Sequence, residues 1–511
     1  MLVSQIIKDL EKEFLSYVKK MMAYSEAISV MYWDMRTGAP KKGIEQRSEV
    51  IGTLSSEVFK MSISEEMAAY LAKLTGQEQE LLGTTVKVLE HCKEEYERNK
   101  KIPAEEFQEY VVLQSKAESV WEEAKSTANF ELFRPYLERL VEFNKRFIQY
   151  WGPKETNYDT LLDHYEPGMT VRTLDQVFGE LRDAIIPLVK AISESNNQPR
   201  TDFLYHKFQK DRQRALSLKL LEQLGYDFES GRLDETVHPF MIGLNPGDVR
   251  VTTKYDENDF RTALFGTIHE CGHALYEQNI SKELVGLPIC TGTSMGIHES
   301  QSLFYENFVG RNYYFWKHNY DLLKEFAGNQ FDGVSLDEFY RAINESKPSL
   351  IRIEADELTY PLHIIIRYEI EKGLFNEGLE AKDLPEIWNA KYEQYLGIRP
   401  QNDAEGVLQD VHWSGGSFGY FPSYALGYMY AAQFKHAMLK DLPQFDQLLA
   451  EGNSKPILNW LTEHIHQYGK MKKPLEILKD VTGEGLNAKY LIDYLSDKYS
   501  KVYGLQQVQE K

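Results

Sequence analysis

Residues 269–273 read His-Glu-Cys-Gly-His, two imidazoles four positions apart with a carboxylate beside the first. The surrounding stretch, RTALFGTIHECGHALYEQN, has the character of a helix, on which His269 and His273 project from one face a single turn apart. At that spacing two rings can share one metal ion. Glu270 stands about 100° round from His269, where its carboxylate can address a water on the ion without ligating it. Zinc suits two neutral imidazoles plus a carboxylate, with a position left open for water and substrate. The water's pKa then falls toward neutrality, and the glutamate can take its proton and later hand it to a leaving amine. The pattern therefore points to a metal-dependent peptidase.

A third protein ligand must come from another element. Glu277 continues the same helix face but lies a further turn, roughly 5–6 Å, along the axis. Beyond the helix, Gly286, Pro288, Gly292 and Gly296 let the chain turn back, and Gly296-Ile297-His298-Glu299-Ser300-Gln301-Ser302 opens a second helix. Glu299 and Glu306 are seven apart and share a face, so only one of them can lie level with the metal. Spacing puts Glu299 first and leaves Glu306 and His298 open.

Peptide hydrolysis also needs donors for an oxyanion, and trimming from a C-terminus needs a cation for the free carboxylate. His412 and Tyr420, and after them Tyr424, are suitable donors, since neutral imidazole and phenol can aim at developing charge. The competing reading is that these rings only pack a turn. Arg250 and Arg352 each offer a planar fork to a carboxylate, although Asp356, one turn from Arg352, is an obvious ion-pair partner. Cys271 points about 200° away from His269 and reads as core packing. His91, His464 and His466 lack companions and read as surface residues. The sequence has no Walker loop, dinucleotide fingerprint or CxxC pair.

Helices must position these groups. Ile6, Leu10, Phe14, Val18 and Met22 recur every four residues from the start, and tracts 104–150, 173–193, 354–373 and 486–503 read as long helices. Thr173 with Gln176 and Ser335 with Glu338 read as capping boxes, and Pro103, Pro385 and Pro443 sit where helices begin. Two segments depart from this habit. Residues 238–255 end in an alternating Val249, Val251, Thr253 run, which predicts a short strand feeding a helix that starts near Asn258 or Asp259; a bound peptide would lie along the edge of that strand. Residues 406–427 hold five glycines and a concentration of His, Trp and Tyr. The expected fold is mostly α. Without a linker, repeat or low-complexity tract, residues 1–511 read as a single catalytic domain.

Composition narrows the partners. The net charge of -20, from 58 Lys and Arg against 78 Asp and Glu, disfavours nucleic acid and anionic membrane surfaces. Cys92, Cys271 and Cys290 do not make a disulfide framework and fit a reducing compartment. The first residues lack a secretory signal and no run of 18 apolar residues occurs, so a cytoplasmic protein is expected.

Several separated motifs resemble the zinc carboxypeptidase family of thermostable carboxypeptidase 1, also called carboxypeptidase Taq. They are His238-Pro239-Phe240, Asp248-Val249-Arg250-Val251-Thr252, the HExxH motif, His298-Glu299-Ser300-Gln301, Ile351-Arg352-Ile353-Glu354-Ala355-Asp356, and Gly406 through Gln409-Asp410-Val411-His412-Trp413. The resemblance implies release of single C-terminal residues with broad side-chain preference and poor activity after proline. It implies Glu299 as third ligand to one Zn2+ per chain, with Co2+ or Mn2+ as substitutes. It further implies two helical halves around a deep groove, similar to neurolysin and angiotensin-converting enzyme, and a homodimer. Arg250 and Arg352 would stand near the closed end of that groove, joined by His238 and Tyr424 as substrate-binding candidates, with the arginine that grips the carboxylate left open.

Overall fold

Apolar residues at alternating steps of three and four drive most of the chain into helices. The computed structural model, which describes residues 2–505, is accordingly mostly α with one small sheet. The first helix, Leu2–Thr37, shows why the step matters. A strict four-residue row winds round the helix, so Ile6 ends 57% exposed, while the buried stripe runs Ile7, Glu11, Phe14, Val18, Met21. Glu11 is admitted to it because its carboxylate accepts the Leu82 amide at 2.9 Å.

The tract 104–150 is two helices, Ala104–Ser126 and Phe130–Trp151. Between them Ala128 adopts φ +49° and Asn129 caps the second helix by accepting the Glu131 amide. Thr173 is not a helix cap. Its own amide donates to the Thr170 hydroxyl, which starts the helix three residues earlier than the capping box predicts. Ser335 with Glu338 does form both arms of a box. The tract from 354 becomes helical only at Tyr360 (Tyr360–Asn376), because the Asp356 carboxylate holds a turn by accepting the Leu358 and Thr359 amides.

Residues 238–255 hold a hairpin rather than one strand. Asn245-Pro246-Gly247-Asp248 supplies the turn between β2 (Met241–Asn245) and β3 (Asp248–Thr253), and β1 (Leu233–Glu235) lies parallel to β3 on its other side. The order β1-β3-β2 makes β3 the central strand, with Val251 opposite both Leu233 and Met241. Both of its edges are paired, so the expectation that a peptide lies along β3 is overturned. Val249, Val251 and Thr253 are fully buried toward the helix Arg261–Gln278, where the Thr267 hydroxyl donates to Thr253 Oγ1 at 2.9 Å.

That HExxH helix packs on the helix Met295–Leu303, which runs on into a π-helical turn, Phe304–Val309. On its other side Met295–Leu303 packs against the helix Pro422–Asp441. Both contacts are made at glycines. A Cβ on Gly272 would lie 2.3 Å from the Gln301 carbonyl oxygen, and one on Gly427 would lie 2.6 Å from Glu299 Cβ. One apolar core joins residues from Ile7 to Tyr503. Because the Gln301 backbone cannot retreat as a side chain would, Gly272→Ala should destabilise the protein by about 1–3 kcal/mol, the usual cost of overpacking. Urea denaturation of the variant against the parent checks this.

Candidate active site

The close approach at Gly272 and Gly427 brings one carboxylate to two imidazoles. His273 Nε2 lies 3.5 Å from Glu299 Oε2, and His269 Nε2 lies 3.9 Å from Glu299 Oε1. One donor atom from each residue falls within 4.8 Å of the others. Tetrahedral ligands about 2.0–2.2 Å from an ion stand about 3.4 Å apart, so the set fits a zinc-sized cation with little adjustment. The outward nitrogens are engaged elsewhere, His269 Nδ1 at 2.7 Å from Glu306 Oε2 and His273 Nδ1 at 2.7 Å from His298 Nδ1. Both Nε2 atoms are thereby turned inward. Glu306 and His298, the open alternatives for a third ligand, stand behind the histidines, and Glu277 lies behind His298, with its Oε1 2.8 Å from His298 Nε2.

Carboxylates dominate the charge around the histidines. Burial opposes a proton on His269, yet Glu299, Glu306 and Glu270 lift it to about 10, while burial takes His273 down to about 4. Glu270 is buried, and the loss of solvent pushes it up to about 7. Among the described residues no donor bonds its carboxylate, which leaves it free to address a water.

Glu299 also borders the helix Pro422–Asp441, at Gly427. Burial first, with the Glu299 charge adding to it, raises the Tyr420, Tyr424 and Tyr360 hydroxyls. Tyr420 and Tyr424 cross edge to face at 5.2 Å, and His412 Nε2 lies 3.1 Å from Tyr424 Oη. Burial takes His412 down to about 4, so its ring is neutral, and its Nδ1 is buried without a partner. Beside these rings, Arg352 packs its guanidinium 5.0 Å from the Tyr424 ring centre and donates to Asp410 at 2.9 Å and to Tyr360 at 3.2 Å. Asp410 is also held at 2.6 Å by the fully buried Arg367. The expected Arg352–Asp356 pair does not form, because Asp356 is saturated by Ser346, Lys347 and Thr359.

Two candidates stand apart from this cluster. Arg250 is on the face of β3 opposite the HExxH helix, forks onto Asp248 at 2.7 and 2.8 Å and lies over Trp33. His238 is exposed just before β2. Cys271 is fully buried, as its direction on the helix requires. His466 is fully buried too, contrary to the surface reading, and its Nε2 lies 2.7 Å from Gln301 Oε1. Sequence reasoning missed Asp410 although it stands two residues from His412. It also missed Glu166, whose carboxylate accepts the Gly296 amide and the Ser294 and Tyr430 hydroxyls at the start of the Glu299 helix. No local signal marks a residue so distant in sequence.

Fold and site together define a mostly helical metallopeptidase of the HExxH type. The chain belongs to the carboxypeptidase Taq (M32) metallopeptidase family, whose model matches residues 13–499, and it is a metallocarboxypeptidase. It is 62% identical over 493 residues to carboxypeptidase 1 of Bacillus subtilis, covering 96% of this chain and 98% of that one. It is 41% identical to thermostable carboxypeptidase 1 of Thermus thermophilus, covering 92% and 94%. Among solved structures, the M32 carboxypeptidase of Deinococcus radiodurans R1 superposes with a TM-score of 0.94 at 34% identity, over 97% of this chain and all of that one.

Outer-shell substitutions at metal sites typically cost 10–100-fold in affinity, so loss of an inner ligand should cost more. Glu299→Gln should weaken metal binding by more than about 100-fold, and His238→Gln should leave it unchanged. Metal retained after dialysis against a graded chelator series reports both.

Proposed function

We propose that the chain is a zinc carboxypeptidase of broad specificity, releasing single residues from peptide C-termini, with His269, His273 and Glu299 as ligands and Glu270 as general base. The observation that carries this reading is the convergence of two inward Nε2 atoms and one carboxylate beside a buried, unbonded Glu270. A divalent ion held there would polarise the scissile carbonyl and lower the pKa of a water. Glu270 removes a proton from the attacking water and delivers it to the nitrogen of the departing residue as the C–N bond breaks. Tyr420, with His412 and Tyr424 behind it, donates toward the oxygen that gains negative charge.

For the substrate carboxylate we favour Arg352 over Arg250. Arg352 neighbours the tyrosines around Glu299, whereas the Arg250 fork is already filled by Asp248 on the far face of the sheet. Arg367 keeps Asp410 paired if Arg352 is changed. His238 is retained as a substrate contact only in the peripheral sense its exposure allows. The substrate is a peptide, and no helix of the described residues is long and apolar enough to cross a membrane. We also infer one catalytic unit arranged as two halves around a groove, supported by the continuous core; cytoplasmic residence and a homodimer complete the proposal, with Co2+ or Mn2+ able to replace Zn2+.

Glu270→Gln should keep the metal and lower kcat by about 10²–10⁴, the usual share of general base catalysis; turnover close to that of the parent would refute the mechanism. Amidating the substrate's C-terminus should abolish most cleavage by the parent. Arg352→Lys should raise KM for free-carboxylate peptides, with a much smaller effect on amidated ones, because the bidentate fork is lost.

A further inference from the structure

The two ligand histidines are backed by unlike partners. Behind His269 stands a carboxylate, Glu306, placed by the π-helical turn and steadied by Arg311, whose Nη2 lies 3.4 Å away. Behind His273 stands another imidazole. The nitrogens His273 Nδ1 and His298 Nδ1 are 2.7 Å apart, and the far nitrogen of His298 is 2.8 Å from Glu277 Oε1. That oxygen also accepts the Thr291 hydroxyl and the Gly292 amide, each at 2.9 Å.

Two ring nitrogens at hydrogen-bond distance are joined only if one donates and the other accepts. An imidazole that offers Nε2 to a cation carries its proton on Nδ1, so His273 must be the donor and His298 Nδ1 the acceptor. Neutral His298 then has its proton on Nε2, pointing at Glu277. Glu277 is buried, and it already accepts two other donors at that same oxygen. A carboxylate can only accept, so Glu277, one helical turn beyond the HExxH pair, enforces the same direction from the far end of the row.

We propose that His298 and Glu277 form a positioning relay that fixes the tautomer and ring plane of His273, and that His298 contributes to metal retention without touching the ion. The inference rests on reading His269, His273 and Glu299 as ligands. Its special feature is that an acceptor at the Nδ1 position of residue 298 is required, not an imidazole. Asparagine presents a carbonyl oxygen close to that position, whereas leucine fills the space and accepts nothing.

The test uses the full chain, stripped of metal and titrated with Zn2+ against a competing chelator. The visible spectrum of the Co2+ form reports the ligand set. His298→Leu should weaken Zn2+ binding about 10–100-fold, the range found for outer-shell partners of metal-bound histidine. His298→Asn should recover most of that loss, and the Co2+ spectrum of the Asn variant should match the parent. Glu277→Leu and Glu277→Gln should fall in the same order, which keeps the test alive if either His298 variant fails to fold, as judged by the melting temperature of the metal-free protein. Parental affinity in the leucine variants overturns the relay. So does equal loss in leucine and amide variants that melt like the parent, and a changed Co2+ spectrum in His298→Asn would make His298 a ligand instead. If the parent itself retains no stoichiometric ion, the ligand reading fails and the relay falls with it.

Discussion

Glu299 has to reach two imidazoles on a different helix, and its own helix comes close enough only because both neighbours lack a side chain where they touch it. Gly272 faces the Gln301 backbone and Gly427 faces Cβ of Glu299 itself. A methyl group at either point would push the carboxylate off the line between His269 and His273. Close-packed interiors have few voids into which such a strain can relax, so the displacement would be passed to the donor atoms. The anchoring of that helix by Glu166 serves the same end, since a buried carboxylate accepting the Gly296 amide and Ser294 hydroxyl holds its first turn against sliding.

The second constraint is charge. Glu270, Glu277, Glu299 and Glu306 crowd around three histidines, in a chain whose net charge is already -20. Buried like charges are costly unless something positive lies among them. The carboxylates divide that burden by position: Glu306 has Arg311 and His269, Glu277 has His298 with an amide and a hydroxyl, and Glu299 faces the two inward nitrogens. Among the described residues no donor bonds the Glu270 carboxylate, which leaves it the isolated member of the group beside the paired Glu306 and Glu277.

A buried Arg352–Asp410–Arg367 row lies beneath the rings of Tyr424 and Phe421. Asp410 is held well below the ordinary carboxylate range, since two guanidiniums outweigh the burial that opposes its charge. Two cations to one anion leave this buried row with a net positive charge, in contrast to the carboxylates gathered around His269 and His273.

Much of this was legible from residue order alone. The histidine pair, its glutamate and the helix carrying them are local, because one turn of helix sets their relation whatever surrounds it. The mostly α character followed from apolar spacing in the same way, as did the Ser335–Glu338 cap. What residue order left undecided involved contacts across the chain. Spacing favoured Glu299 over Glu306 and His298 without separating them, and the crossing of two helices assigned them to different sides of the imidazoles. Arg352 and Arg250 look alike until Asp410, 58 residues from the first, and Asp248, two from the second, take up their donors. The pairing of β3 on both edges depended on β1, whose three residues carry no strand pattern of their own. Periodicity reports which face of an element is apolar; which partner meets that face is decided by packing, and here by the few glycines that let backbones touch.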